Sequence, residues 1–167
     1  MNGKLERSGD AWRLRFERTL AHPPEKVWRA ITEPEHLAAW FPDTVFVSEW
    51  SVGAPLRFGQ PGHEFDGEVL VVEEGAMVEF RWGTDVIRLE LRPVEGGTRL
   101  TLTDTIDQLG KAARDAAGWH ACLDQLEAHL VGVRGPSASE TWRAVHPGYV
   151  ESFGPEAATI GPPQGAP

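Results

Sequence analysis

The chain has 167 residues, of which 41% are hydrophobic and 25% charged, an ordinary composition for a soluble globular protein of one domain. Its 16 basic and 25 acidic residues give a net charge of −9, which argues against nucleic acid or an anionic membrane surface as the main partner. No apolar run approaches membrane-spanning length and the N-terminus lacks the apolar core of a secretion signal, so we expect a cytoplasmic protein without membrane insertion.

The first forty residues predict one strand and two short helices. Residues 1–10 are polar and are expected to be irregular. Apolar and charged residues alternate over residues 12–17, as in a half-buried strand. Proline-led helix starts follow at Pro24 and Pro34, the second with the capping-box spacing of Thr32–Glu35.

The middle of the chain predicts an antiparallel meander, because turn signals recur about every ten residues. The predicted strands are Thr44–Trp50, Pro55–Gly59, Glu64–Glu73, Met77–Trp82, Val86–Arg92 and Thr98–Ile106. In the later strands apolar residues alternate with charged ones, so one face of the sheet is expected to need a cover.

One long helix is predicted over Ala112–Val131, with Gly132 ending it. Its apolar residues follow steps of four and three, which places them on one face: Ala112, Ala116, Trp119, Leu123, Leu126 and Leu130. We therefore expect an α+β fold in which an antiparallel sheet of six or seven strands wraps around this helix, with two short helices after the first strand.

The C-terminal region predicts one more short helix and then a tail. Ser137 and Glu140 have capping-box spacing, and Trp142 lies on the apolar side of the helix that follows. Pro147 is expected to interrupt that helix. From residue 154 onward the chain is rich in proline, glycine and alanine, so residues 154–167 are expected to be flexible.

Two segments resemble the opening and closing patterns of a known family. Residues 22–41, HPPEKVWRAITEPEHLAAWF, combine a proline-led helix containing Val-Trp with a second proline-led turn and a final Trp-Phe. Residues 118–130, GWHACLDQLEAHL, place leucines at helical spacing after Gly-Trp. With the strands between them, they resemble the AHSA-like family, named for the C-terminal domain of the activator of the heat-shock protein 90 ATPase. That family lies in the START-like superfamily, also called SRPBCC or Bet v 1-like.

The resemblance implies a helix-grip fold with a cavity between sheet and long helix that holds apolar molecules. Residues 10–135 would form the START-like domain, and residues 136–153 an extension that docks on it or across a dimer partner. The inward strand phases, Gly118 within the long helix and the resemblance together predict an apolar ligand site. Its predicted ligand-binding residues are Trp40, Phe41, Phe58, Val69, Phe80, Trp82, Leu89, Leu102, Asp104, Trp119, His120 and Leu123. Asp104 or His120 would orient the ligand, and the competing interpretation is a core filled by tryptophan side chains.

No catalytic motif is visible, so no catalytic residue, metal site or cofactor is predicted. There is no G-x-S-x-G nucleophile motif, and the six histidines lack the spacing of helical metal sites. Cys122, the one cysteine, lies on the apolar part of the long helix, where a buried and inert thiol is expected.

Three functions stay open at this point. The first is a binding protein for an apolar small molecule, present as a monomer or homodimer. The second is a cyclase- or hydratase-like enzyme that uses the same cavity for acid–base work. The third is a co-chaperone-like regulator of a heat-shock ATPase, as in a stress response. We regard the third as disfavoured, because the activator that gives the family its name carries an additional N-terminal domain, for which 167 residues leave no room.

Overall fold

The computed structural model describes residues 2–60 and 62–161, which form an α+β fold. The strands are β1 Lys4–Ser8, β2 Ala11–Leu20, β3 Thr44–Val47, β4 Pro55–Gln60, β5 His63–Glu73, β6 Met77–Trp82, β7 Asp85–Val94 and β8 Gly97–Ile106. The α-helices are α1 Pro24–Thr32, α2 Pro34–Leu37, α3 Ala112–Val131 and α4 Ala138–Phe153. None of these helices is long and apolar enough to cross a membrane.

All eight strands form one antiparallel sheet in the order β1-β2-β8-β7-β6-β5-β4-β3. The predicted fold is confirmed, but the sheet has eight strands rather than six or seven. The additional strand is β1, so the prediction of an irregular N-terminus is wrong for residues 4–8. These residues pair with β2 from Lys4 opposite Arg15 to Ser8 opposite Ala11, which satisfies backbone groups that would otherwise form an open sheet edge.

The long helix α3 has the predicted bounds. Gly132 follows it in the left-handed conformation, with φ of 77°, which a glycine adopts without steric cost. Trp119, Leu123 and Leu126 are at most 2% exposed. The helix therefore buries the predicted face, in one core with the apolar side chains of the sheet.

The start of α2 differs from the prediction. Its N-cap residue is Glu33, and no side chain caps the helix. The Thr32 hydroxyl donates instead to the Trp28 carbonyl at 2.6 Å, within the last turn of α1. The predicted capping box at Thr32–Glu35 is therefore wrong, because the threonine hydroxyl already has an acceptor one turn earlier.

The start of α4 agrees with the prediction, but its end does not. The Glu140 backbone N–H donates to the Ser137 hydroxyl at 3.2 Å, and the Ser137 N–H donates to the Glu140 carboxylate at 3.1 Å, which confirms the capping box. The helix continues through Pro147 to Phe153, so the expected interruption does not occur. Side-chain packing on α3 and at Tyr149, which is 4% exposed, holds the helix across the proline.

Residues after α4 also pack against the rest of the domain. Pro155–Ala158 form a short 3₁₀-helix in which Ala157 is buried, and the Ile160 N–H donates to the Gly110 carbonyl at 3.0 Å. Residues 155–160 therefore contact the domain in this structure, and the flexibility of residues 154–167 stays a prediction. Residues 162–167 lie outside the described part of the chain.

Candidate ligand-binding pocket

A pocket of about 300 Å³ lies beside the first half of α3, between the start of α4 and the end of β6. Three tryptophans form its large apolar walls: Trp82 from β6, Trp119 from α3 and Trp142 from α4. The centres of the Trp82 and Trp119 rings are 5.4 Å apart. Because three elements distant in sequence supply the walls, this pocket exists only once α4 has packed on α3.

The polar edges of these tryptophans are turned to the protein. The three indole N–H groups donate to Asp43 Oδ2 at 2.9 Å, Asp104 Oδ2 at 2.8 Å and the Arg114 carbonyl at 3.0 Å. The carbon surfaces of the rings are therefore what the walls offer to a ligand. Such a surface favours a flat apolar molecule over a polar one.

Gly118 lines the pocket and has no side chain to occupy it. Apart from its chain neighbours and its own helix backbone, a Cβ atom added at Gly118 would meet no atom within 4 Å, so the sheet does not approach the backbone closely here. The glycine costs the helix about 1 kcal/mol relative to alanine. It leaves open space in the pocket wall, next to Trp119.

The polar part of the pocket is an ion pair. Arg114 Nε donates to Asp115 Oδ1 at 2.8 Å, and both side chains line the pocket with exposures of 23% and 15%. Burial raises the pKa of the Asp115 carboxyl above its usual range, although Arg114 opposes this shift. Burial therefore makes the protonated form of Asp115 more accessible than that of an exposed aspartate.

A buried carboxyl cluster lies behind this wall. Asp85, Asp104 and Asp115 each place one oxygen within 4.8 Å of the others. Asp104 is 0% exposed, and its Oδ1 atom meets no hydrogen-bond donor among the described residues. Burial and the charge of Asp85 raise the pKa of Asp104 well above its usual range. Asp104 is therefore the member of the cluster in which burial most strongly favours the protonated form.

Lys111 supplies the counter-charge of the cluster. Its Nζ atom is 2.7 Å from Asp85 Oδ1 and 2.6 Å from Asp107 Oδ1. Burial disfavours the charged lysine, but these ion pairs outweigh burial and raise its pKa. Sequence reasoning missed Asp85, although it shares the inward phase of Ile87 and Leu89 on β7.

The predicted ligand-binding residues fall into two groups. Trp82 and Trp119 line the pocket. Most of the others lie in the core between sheet and helix: Trp40, Phe41, Phe58, Val69, Phe80, Leu89, Leu102 and Leu123 are at most 7% exposed. Their rings contact one another, as at Phe41 and Phe58 with centres 5.9 Å apart. Their role as ligand walls stays a prediction.

The two predicted orienting groups lie apart from each other. Asp104 faces inward, as its strand phase predicts, and accepts from the Trp119 indole behind the pocket wall. His120 faces α4 instead, with Nδ1 2.9 Å from the Tyr149 hydroxyl. Asp104 thus reaches the pocket only through Trp119 and the carboxyl cluster.

Cys122 borders the pocket as well, but with a protonated thiol. Burial raises the pKa of Cys122 to about 12. Because the thiolate is the reactive form, the side chain is unreactive at neutral pH, as expected from its place on the helix.

The sequence and the fold both have known relatives. The family model described as Activator of Hsp90 ATPase homolog 1-like protein matches residues 21–131. That range runs from the end of β2 to the last residue of α3. No functionally curated protein matches the chain significantly.

Solved structures share the fold over most of the chain. A conserved protein of unknown function from Enterococcus faecalis is 21% identical with a TM-score of 0.76, and the alignment covers 90% of each chain. CalU16 from Micromonospora echinospora is 20% identical with a TM-score of 0.71, over 91% of this chain and 94% of that one. DynU16, a protein of the dynemicin biosynthetic locus, is 28% identical with a TM-score of 0.62, over 71% of this chain and 47% of that one.

Proposed function

Since the chain belongs to the Activator of Hsp90 ATPase homolog 1-like family, we propose that it is a small-molecule binding protein. Its ligand is a flat, mainly apolar molecule held in the pocket between α3 and α4. The observation that carries this proposal is the wall of three tryptophans whose N–H groups are all engaged by the protein. Stacking on such faces favours aromatic ligands.

The size of the pocket limits the ligand. An apolar cavity of about 150 Å³ takes up one benzene molecule. About 300 Å³ therefore corresponds to a core of roughly two fused rings, with the remainder of a larger ligand extending towards solvent. Arg114 and Asp115 would orient one polar substituent of that ligand, since both line the same pocket. The occurrence of the structural relative DynU16 in a biosynthetic locus agrees with a small-molecule role.

Gly118 provides a direct test. Gly118→Phe should place a ring in the pocket, because Gly118 lines it and a Cβ atom at this position has open space around it. An anilinonaphthalene dye should bind the wild type saturably, with quenching of tryptophan fluorescence, and binding should be lost in Gly118→Phe. Gly118→Ala is the matched control, which removes the helical glycine but leaves most of the room. Absence of saturable binding to the wild type across a panel of two- and three-ring aromatics would refute the proposal.

A second candidate function is acid–base catalysis in the same pocket, favoured by the position of Asp115. Its carboxyl lines the pocket and lies within 4.8 Å of the buried Asp104 carboxyl, whose raised pKa favours the protonated form. Raised carboxyl pKa values suit general acids at neutral pH. Exchange of the α-protons of a bound aromatic ketone with D₂O, followed by NMR, would test this. Catalysis predicts exchange that Asp115→Asn abolishes even at ligand concentrations that saturate the variant, whereas exchange at the buffer rate leaves binding as the function.

A further inference from the structure

A pair of histidines lies at the opposite end of α3. His129, in the last turn of the helix, and His36 of α2 are 93 residues apart in sequence. His36 Nδ1 and His129 Nε2 are 2.8 Å apart, with ring centres separated by 5.1 Å. Both rings line a second cavity of about 460 Å³ that also contains Lys26 and Arg29.

We propose that His36 and His129 form a binding site for a divalent transition-metal ion, with Zn²⁺ as the reference ligand. Imidazole nitrogens are common ligands of Zn²⁺, and near neutral pH most histidine side chains are unprotonated and can coordinate. The remaining coordination positions face the cavity, where water molecules or a small ligand would complete them. This site is independent of the tryptophan-walled pocket.

The spacing of the rings is close to what a zinc ion requires. Two Zn–N bonds of about 2.0–2.1 Å at a tetrahedral angle place the nitrogens about 3.3 Å apart and the ring centres about 5.2 Å apart. The observed ring centres are 5.1 Å apart. The two nitrogens are 2.8 Å apart and hydrogen-bonded to each other, so binding requires this hydrogen bond to break and the rings to tilt until both nitrogens point at a common position.

Two further features favour a cation at this position. The Glu33 carboxylate lies 3.7 Å from His36 Nε2, the ring nitrogen that faces away from His129. At this distance the carboxylate makes no hydrogen bond, but its charge favours the proton on Nε2 and leaves Nδ1 as the metal ligand. The C-terminal end of α3, which carries His129, contributes negative potential.

Lys26 and Arg29 act against the metal ion and set the expected affinity. Lys26 Nζ donates to the Leu130 carbonyl at 2.8 Å and so stays beside the site. Arg29 is exposed, so water weakens but does not remove its repulsion of a cation. With two protein ligands and two neighbouring cations, we expect micromolar rather than nanomolar binding of Zn²⁺.

Calorimetric titration of the full chain with ZnCl₂ in a non-coordinating buffer tests the site. One Zn²⁺ per chain is expected, with affinity reduced at least about tenfold in both His36→Gln and His129→Gln. His63→Gln, at an exposed histidine outside this cavity, is the control and should bind as the wild type does. Glu33→Gln should weaken binding less than either histidine substitution does, because it removes a nearby negative charge and leaves both ligands in place. Electron paramagnetic resonance of the Cu²⁺ form should show two nitrogen ligands that either histidine variant reduces.

Loss of Zn²⁺ binding can be distinguished from loss of folding. The substituted side chains are partly exposed, so the variants should fold, and thermal melts report whether each one does. Zn²⁺ binding that persists in both single histidine variants refutes the site, as does absence of saturable binding to the wild type. Arg29→Ala should tighten Zn²⁺ binding, because it removes a repelling charge. If the wild type binds inorganic phosphate and not Zn²⁺, and Arg29→Ala weakens that phosphate binding, the cavity is an anion site and the proposal is wrong.

Discussion

Replacement of Asp104 by asparagine tests the buried carboxyl cluster most directly. In the folded protein Asp104 keeps its proton well above the ordinary pKa of 3.8, because it is buried beside Asp85. Asparagine imitates the protonated form: its carbonyl can accept from the Trp119 indole, and its amide can donate to Asp85. The two proteins should therefore have similar stability at about pH 4, where the aspartic acid is protonated in the folded state.

The difference in stability between the wild type and Asp104→Asn should grow as the pH rises. The unfolded chain releases the Asp104 proton near pH 4 whereas the folded protein retains it, so the folded state binds more protons and the wild type loses stability with increasing pH. One proton corresponds to at most about 1.4 kcal/mol per pH unit at 25 °C. The loss continues until the pH passes the folded-state pKa, and the asparagine variant does not share it. Asp104→Asn should therefore become increasingly more stable than the wild type towards neutral pH.

Urea denaturation from about pH 4 to pH 8 measures this difference. Asp107→Asn is a control of opposite sign, because its hydrogen bond with Lys111 lowers the pKa of Asp107. That carboxylate stabilises the folded protein above its unfolded pKa and loses the effect as the pH falls, so the control should lose stability mainly at neutral pH. Parallel pH dependence of wild type and Asp104→Asn would refute the assignment of the retained proton to Asp104.

Three further predictions concern packing. Leu126 of α3 is 0% exposed in the core. Leu126→Ala should therefore lower the free energy of unfolding by about 2–5 kcal/mol in chemical denaturation, and a decrease under about 0.5 kcal/mol would contradict that burial. The Tyr149 hydroxyl accepts from the Gly3 N–H at 2.8 Å, so Tyr149→Phe should cost about 1–3 kcal/mol, and an unchanged unfolding free energy would show that water replaces this acceptor. Truncation after Gly135 removes α4 and should lower the melting temperature or change the oligomeric state; unchanged melting and elution would show that α4 contributes little.

Local patterns in the sequence determined the elements and the family. The bounds of α3 follow from a stripe of apolar residues at helical spacing and from Gly132, which can adopt a positive φ. The alternating strands and the two family motifs were equally visible, since periodicity and turn chemistry act over a few residues. Strand β1 was not predicted, because its mainly polar residues show no alternation of apolar and polar side chains. Pairing with the free edge of β2 orders these residues.

The sites depend on contacts that no local pattern encodes. His36 approaches His129, and Asp85 approaches Asp104, only because α2 packs near the end of α3 and β7 pairs with β8. The inward phase of a strand predicts that an aromatic ring is buried, but not whether other rings fill the space beside it. The tertiary structure alone decided that the pocket opens between α3 and α4, because packing of whole helices determines which surfaces meet and where room remains between them.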